Sequence, residues 1–183
     1  MKREDALVSL KASLSNQNLV KHCLATEAIM RSLARRLGQD EAEWGLAGLL
    51  HDIDLDITND DMSTHSKVSA EMAQELGASP EVVQAILCHN EAHGVPRESL
   101  MDKALYCADP LTGLITAAAL VRPDKKLAGV AAESVKKRFG EKRFAAGASR
   151  EQMALCSELG LSLDDFLALG VQAMQGVAGD LGL

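Results

Sequence analysis

The feature that most constrains the fold is a run of helix starts and stops along almost the whole chain. Apolar residues recur at spacings of three and four over residues 5–14 and 18–37, and the second stretch ends at Gly38. Asp40, with Glu43 in the reciprocal capping position, opens the next helix, which runs through Trp44 to His51-Asp52. His65 opens a helix ending near Gly77. Ser79-Pro80-Glu81 combines a capping serine with proline in the first turn, and Ser99 with Asp102 opens another helix. Pro110 cannot donate to the carbonyl four residues back, so a kink or a fresh start is expected at Asp109-Pro110. The pattern resumes to Val121, and further helices are expected at about 129–139, 150–159 and 163–181. No strand-turn-strand series occurs. Aromatic residues make up only 3% of the 183 residues, so the core must be aliphatic, which suits close helix packing better than a β-sandwich. The expectation is an all-α fold in a single domain, residues 1–183.

His51-Asp52 ends an apolar run, Leu46 to Leu50. Adjacent side chains on a helix diverge by about 100°, so the two can reach one point only where the helix ends or loosens. The polar stretch from Ile53 to Asp61, including Asp60, reads as that ending. An imidazole and a carboxylate converging there suggest metal ligation, although a helix C-terminus carrying a favourable cation is the plain alternative. All five histidines lie between residues 22 and 93. His22, His51, His65 and His89 fall on successive helical segments, His93 follows in a loop, and Asp109 sits on the next helix. One inward ligand per helix is how helical bundles build metal centres. Asp109 has a rival role as the cap of a new helix before Pro110, and Asp54 and Asp56 read as solvated loop acids.

The order His22, His51-Asp52, Asp109 resembles the signature of the HD-domain superfamily of metal-dependent phosphohydrolases. The segments Trp44–Leu50 and Ala104–Asp109 are similar to small bacterial and archaeal HDIG-type hydrolases of unknown substrate. The resemblance covers an HD core of about residues 18–121, followed by a basic segment and C-terminal helices over 122–183. It implies that His22, His51, Asp52 and Asp109 hold one metal, and that His65 and His89 hold a second, with Asp52 bridging and acting as the catalytic carboxylate. Imidazole and carboxylate donors suit Mn, Fe, Co, Ni or Zn ions better than magnesium. One or two such ions would activate a water against a phosphoryl group. Asp54 and Leu55 stand where HDIG-like motifs usually carry glycine, sometimes followed by lysine, so a phosphate-assisting lysine is missing there. Two other functions stay open: an HD-fold di-iron oxygenase, and a non-catalytic metal or nucleotide sensor.

The net charge of −7 is uneven. Residues 121–150 hold nine Lys/Arg against three acids, a local +6. Lys125, Lys126, Lys136 and Arg138 are candidates for substrate phosphate, against the alternative of a solvated helical face. An acidic chain is a poor general binder of nucleic acid. The expected partner is therefore a nucleotide or other small phosphorylated substrate, with no nucleic acid polymer and no membrane. No apolar run approaches the roughly 18 residues of a membrane span, and no signal region follows Met1. Cys23, Cys88, Cys107 and Cys156 form no CxxC pattern and read as small buried residues rather than thiolate ligands. Together these point to a cytoplasmic protein.

Overall fold

Capping chemistry sets most helix boundaries in the computed structural model, which describes residues 1–59 and 61–183. Helix α1 spans Arg3–Ser13. Asn16 accepts a hydrogen bond from the Asn18 amide to start α2, Gln17–Leu37, and Gly38 closes it at φ 66°. Asp40 accepts from the Ala42 and Glu43 amides to start α3, Glu41–Leu50. The Glu43 side chain does not complete the reciprocal cap; it accepts from the Ser79 hydroxyl instead, tying α3 to the chain just before Pro80. A single turn, α4 (Leu55–Thr58), precedes α5 (Lys67–Glu75) and α6 (Pro80–Cys88). Ser99 and Asp102 form the expected capping box for α7, Leu100–Leu120. The chain then continues through α8 (Ala132–Phe139), α9 (Arg150–Ala154), α10 (Leu163–Gly176) and α11 (Ala178–Leu181). No strand occurs among the described residues, and the fold is an all-α bundle. Asp60, part of the acidic run after His51-Asp52, lies outside the described residues.

Three boundaries differ from the sequence reading. Helix α7 runs unbroken through Pro110. An interior proline costs an exposed helix about 3 kcal/mol, but here Ala104, Leu105, Ala108, Leu111, Leu114 and Ile115 are all buried along the same helix. Tertiary packing holds the helix together across the missing amide. Beyond α9, residues Leu155–Leu159 tighten into a 3-10 helix. The last expected helix divides at Val177 into α10 and α11.

The core is aliphatic, as the composition requires: Leu10, Leu33, Leu49, Leu50, Ile86, Leu105 and Leu111 are fully buried, with Phe166 the one aromatic among the largest such side chains. Helix α2 packs against α3, α7 and α10. Its contact with α3 depends on Gly48, where a Cβ atom would lie 2.9 Å from the Glu27 and Thr26 backbone. Glu27 is buried at that crossing and is satisfied by Arg3 at 2.5 and 2.8 Å and by Arg31 at 2.9 Å. All four cysteines are free and buried. Burial pushes the Cys88 and Cys107 thiols up to about 12, which keeps them protonated at neutral pH.

Candidate metal centre

Five elements deliver six side chains to one place. His22 comes from the first half of α2. His51 caps α3, where the chain leaves the helix into a turn over residues 51–54, and this lets Asp52 swing to the same side. His65 lies in the turn before α5, His89 caps α6, and Asp109 projects from within α7, free of any capping duty because the helix does not restart there.

Asp52 lies at the centre. Its Oδ2 is 3.3 Å from His22 Nε2 and 3.3 Å from His51 Nε2. Its Oδ1 is 3.4 Å from His65 Nε2 and 3.5 Å from His89 Nε2. Asp109 Oδ1 lies 3.1 Å from His22 Nε2 and 3.9 Å from His51 Nε2. The carboxylate of Asp52 thus divides its two oxygens between two pairs of histidines. His51, Asp52 and His89 are buried, whereas Asp109 keeps 32% of its side chain exposed, the open side of the cluster.

The opposite edge of each imidazole fixes its proton. His51 Nδ1 donates to Gly48 O at 2.9 Å, and His89 Nδ1 donates to Ile86 O at 2.6 Å, each using a carbonyl left free at a helix end. His65 Nδ1 donates to Asp54 Oδ1 at 2.7 Å. The Thr112 hydroxyl donates its one proton to Asp109 O at 2.8 Å, so at 2.9 Å from His22 Nδ1 it must accept. Every Nδ1 therefore carries the proton, and all four Nε2 lone pairs face inward.

That arrangement fits a metal ion. The Nε2 atoms of His22 and His51 lie 3.1 Å apart, two lone pairs that a shared cation would reconcile. In the metal-free chain a proton fills this need. Burial opposes charge on His22, but hydrogen bonds to Asp109 and Asp52 raise it to about 10. The same burial opposes charge on Asp52 and Asp109, yet the histidines hold both carboxyls below the usual range. Two sets of donor atoms, His22–His51–Asp109 and His51–Asp52–His89, each lie within 4.8 Å of one another. Neighbouring donors about 3 Å apart match the spacing that bonds of roughly 2.0–2.2 Å to one ion require. Buried His/Asp clusters of this kind can hold divalent metal, and the nitrogen-rich set favours first-row transition ions.

Several residues that support the cluster escape the sequence reading. Asp54 is fully buried, not solvated: it holds His65 and accepts from the Ser66 and Ser69 amides at 2.9 and 3.0 Å. Its flanking Ile53 and Leu55 were the available signal. Asp56 does stay outside the cluster, taking the Ser15 amide and hydroxyl. Ser66 adopts φ 70°, a costly conformation for a side-chain-bearing residue, held by its amide to Asp54 and its hydroxyl to Leu87 O. His93 Nε2 and Asn90 Nδ2 both donate to His65 O, at 2.6 and 3.1 Å, so His93 braces the backbone behind a cluster histidine.

The basic segment divides between paired and open side chains. Lys136 pairs with Asp164 at 2.7 Å, Arg138 with Glu141 at 2.6 Å, and Lys125 and Lys126 are exposed in the loop before α8. No ion pair among the described residues joins this segment to the histidine cluster. No helix among them is long and apolar enough to cross a membrane.

Comparison with known proteins agrees with the geometry. The profile described as "HD domain" matches residues 19–143. Ribonuclease Y of Oleidesulfovibrio alaskensis is 33% identical over 98 residues, covering 54% of this chain and 18% of that protein. Ribonuclease Y of Geobacter sulfurreducens is 31% identical over 98 residues, with the same coverage of 54% and 18%. Ribonuclease Y of Sulfurovum sp. is 34% identical over 92 residues, covering 50% and 18%. The chain thus spans under a fifth of the length of these relatives. Their name is that of an RNA-cleaving enzyme, and it overturns the expectation that no nucleic acid polymer is a partner. That expectation rested on the net charge of −7, which averages over the chain. A protein meets nucleic acid through local charge, which a sum over the whole chain does not report.

Proposed function

The chain belongs to the HD-domain family, and from that premise we propose that it hydrolyses phosphoester bonds of ribonucleotides, RNA included, at a centre of two divalent metal ions. His22, His51, Asp52 and Asp109 would hold one ion; His65 and His89 would hold the other, with Asp52 shared. The supporting observation is the division of Asp52, one oxygen toward His22 and His51 and the other toward His65 and His89. Two such ions supply charge neutralisation at the phosphoryl oxygens and a nucleophile drawn from water at neutral pH.

The chain's own residues do the positioning. Gly48 O, Ile86 O, Asp54 and Thr112 hold the four imidazoles in the tautomer and orientation that keep Nε2 available. Asp54 also makes His65 a stronger donor, because its carboxylate shares the Nδ1 proton. Asp109, the most exposed of the six, marks the side from which a phosphoester approaches. Manganese, iron, cobalt, nickel and zinc all suit this donor set. The free, buried cysteines support a reducing, cytoplasmic setting.

Protein loaded with Mn²⁺, Co²⁺ or Ni²⁺ is expected to release fragments from an end-labelled oligoribonucleotide or phosphate from a ribonucleotide panel. Absence of turnover with all three metals on both substrates refutes the reading.

A further inference from the structure

A cavity of about 560 Å³ lies between α2 and α7, lined by His22 and by Thr112, the residue that orients it. Its volume falls within the range of small-molecule sites, roughly 300–1,000 Å³. On α2 its wall is Asn18, Lys21 and Ala25, one turn apart on the face that also carries His22. On α7 the wall is Thr116, Ala117 and Leu120, at the same helical spacing below Thr112. Leu181 and Leu183 complete the lining. These last residues, with α11, lie outside the matched span of 19–143, so this part of the wall is not part of the family's shared domain.

We propose that this cavity takes the nucleoside of the ribonucleotide whose phosphate meets the histidine cluster, and that Lys21 neutralises that phosphate. The inference rests on the reading of the chain as a ribonucleotide phosphohydrolase. Lys21 is half-buried and makes no ion pair among the described residues. Its Nζ lies against the backbone of Gly182, where an added Cβ would be only 3.1 Å away. It is therefore a cation on the wall of the cavity that His22 also lines, with no ion-pair partner among the described residues. The walls are mixed. Ala25, Ala117, Leu181 and Leu183 offer flat aliphatic surface for a base, while Asn18 and Thr116 offer donors and acceptors for its edge or the ribose. A bare sugar phosphate would leave the aliphatic walls uncovered, and an acyl phosphate would bury the amide and hydroxyl unpaired. Leu120, at 48% exposure, is an apolar side chain left open at the same cavity.

Calorimetry on metal-loaded protein tests this with three probes: inorganic phosphate, an adenosine 5′-methylenephosphonate whose P–C bond resists hydrolysis, and a four-residue oligoribonucleotide ending in the same group. The nucleoside probe is expected to bind about tenfold or more tightly than inorganic phosphate. Thr116→Phe, which narrows the cavity at its α7 wall, should cut that advantage severalfold while metal content and inorganic phosphate binding stay unchanged. Leu120→Glu, at an exposed position tolerant of change, should weaken the nucleoside probe severalfold. Lys21→Gln should weaken all three probes. A tetranucleotide that binds at least as well as the mononucleotide assigns the cavity to a strand end; a much weaker tetranucleotide assigns it to free nucleotides. Equal affinity for phosphate and nucleoside probe, or unchanged affinity in both Thr116→Phe and Leu120→Glu, overturns the proposal. Selective binding without turnover of any hydrolysable ester would instead refute the hydrolase reading and leave the pocket standing.

Discussion

Four imidazoles turn one nitrogen inward because something specific holds the other: two helix-end carbonyls, one hydroxyl and one buried carboxylate. The carboxylate, Asp54, can be tested separately from the inner donors. Asp54→Ala removes the partner of His65 Nδ1 and leaves the Ser66 and Ser69 amides without their acceptor. Loss of such an outer partner typically lowers metal affinity about 10–100-fold. Competition with a chelator should show this drop for one ion and little change for the other; equal weakening of both would contradict the assignment of His65 to the second ion. The pH dependence follows from His22. Its folded-state pKa is raised from 6.5 to about 10. The proton therefore stabilises the metal-free fold fully below about pH 6.5, and that contribution is lost as pH rises toward 10. A metal must displace the same proton, so metal affinity should climb with pH across that interval. Titration of metal affinity between pH 6 and 9 checks it, and a flat profile would contradict the proton's place at His22. The six inner residues were legible because histidine and aspartate on successive helical segments are rare enough to stand out. Asp54 was not, since its burial is decided by amides twelve and fifteen residues away.

At the level of the helices, the site depends on how closely α3 lies on α2. Gly48 is the point of approach, three residues before His51. Gly48→Ala would force a methyl group to 2.9 Å from the Glu27 backbone, which cannot retreat as a flexible side chain could. Overpacking of this kind costs about 1–3 kcal/mol, and the separation of His51 from His22 should also lower metal content. Gly113→Ala is the control. Its Cβ would meet only the Ala148 Cβ, at an ordinary 3.8 Å. Replacing a helical glycine there should stabilise by up to about 1 kcal/mol. Thermal unfolding of the two metal-free variants should move in opposite directions; destabilisation of both to the same degree would contradict the close-approach account. Helix starts at Asp40, Ser79 and Ser99 were readable from caps, because each accepts from the amides its position implies; the Asn16 cap of α2 escapes the sequence reading. Pro110 misled for the opposite reason: a local rule was overridden by burial along α7, which no short window of sequence contains.

Across the whole molecule, buried carboxylates and lone pairs form a centre short of positive charge, within a bundle whose core is almost wholly aliphatic. Metal binding should therefore act on the entire fold. An ion that binds only the folded chain adds about 4 kcal/mol at a thousandfold excess over its Kd. Stripping metal with a chelator should lower the unfolding temperature by several degrees, and readdition should restore it. An unchanged transition would mean that the cluster holds its shape on protons alone. Net charge proved a poor guide at this scale, because a sum of −7 conceals both the basic segment and the cation-seeking cluster. The most direct test of the central claim is the number of metal ions per chain in the unmodified protein and in Asp52→Ala, by elemental analysis and by anomalous scattering from a crystal. The account predicts two ions per chain, one beside His22, His51 and Asp109 and one beside His65 and His89, with both lost in Asp52→Ala. A single ion in the unmodified protein, or two retained without the Asp52 carboxylate, would contradict it.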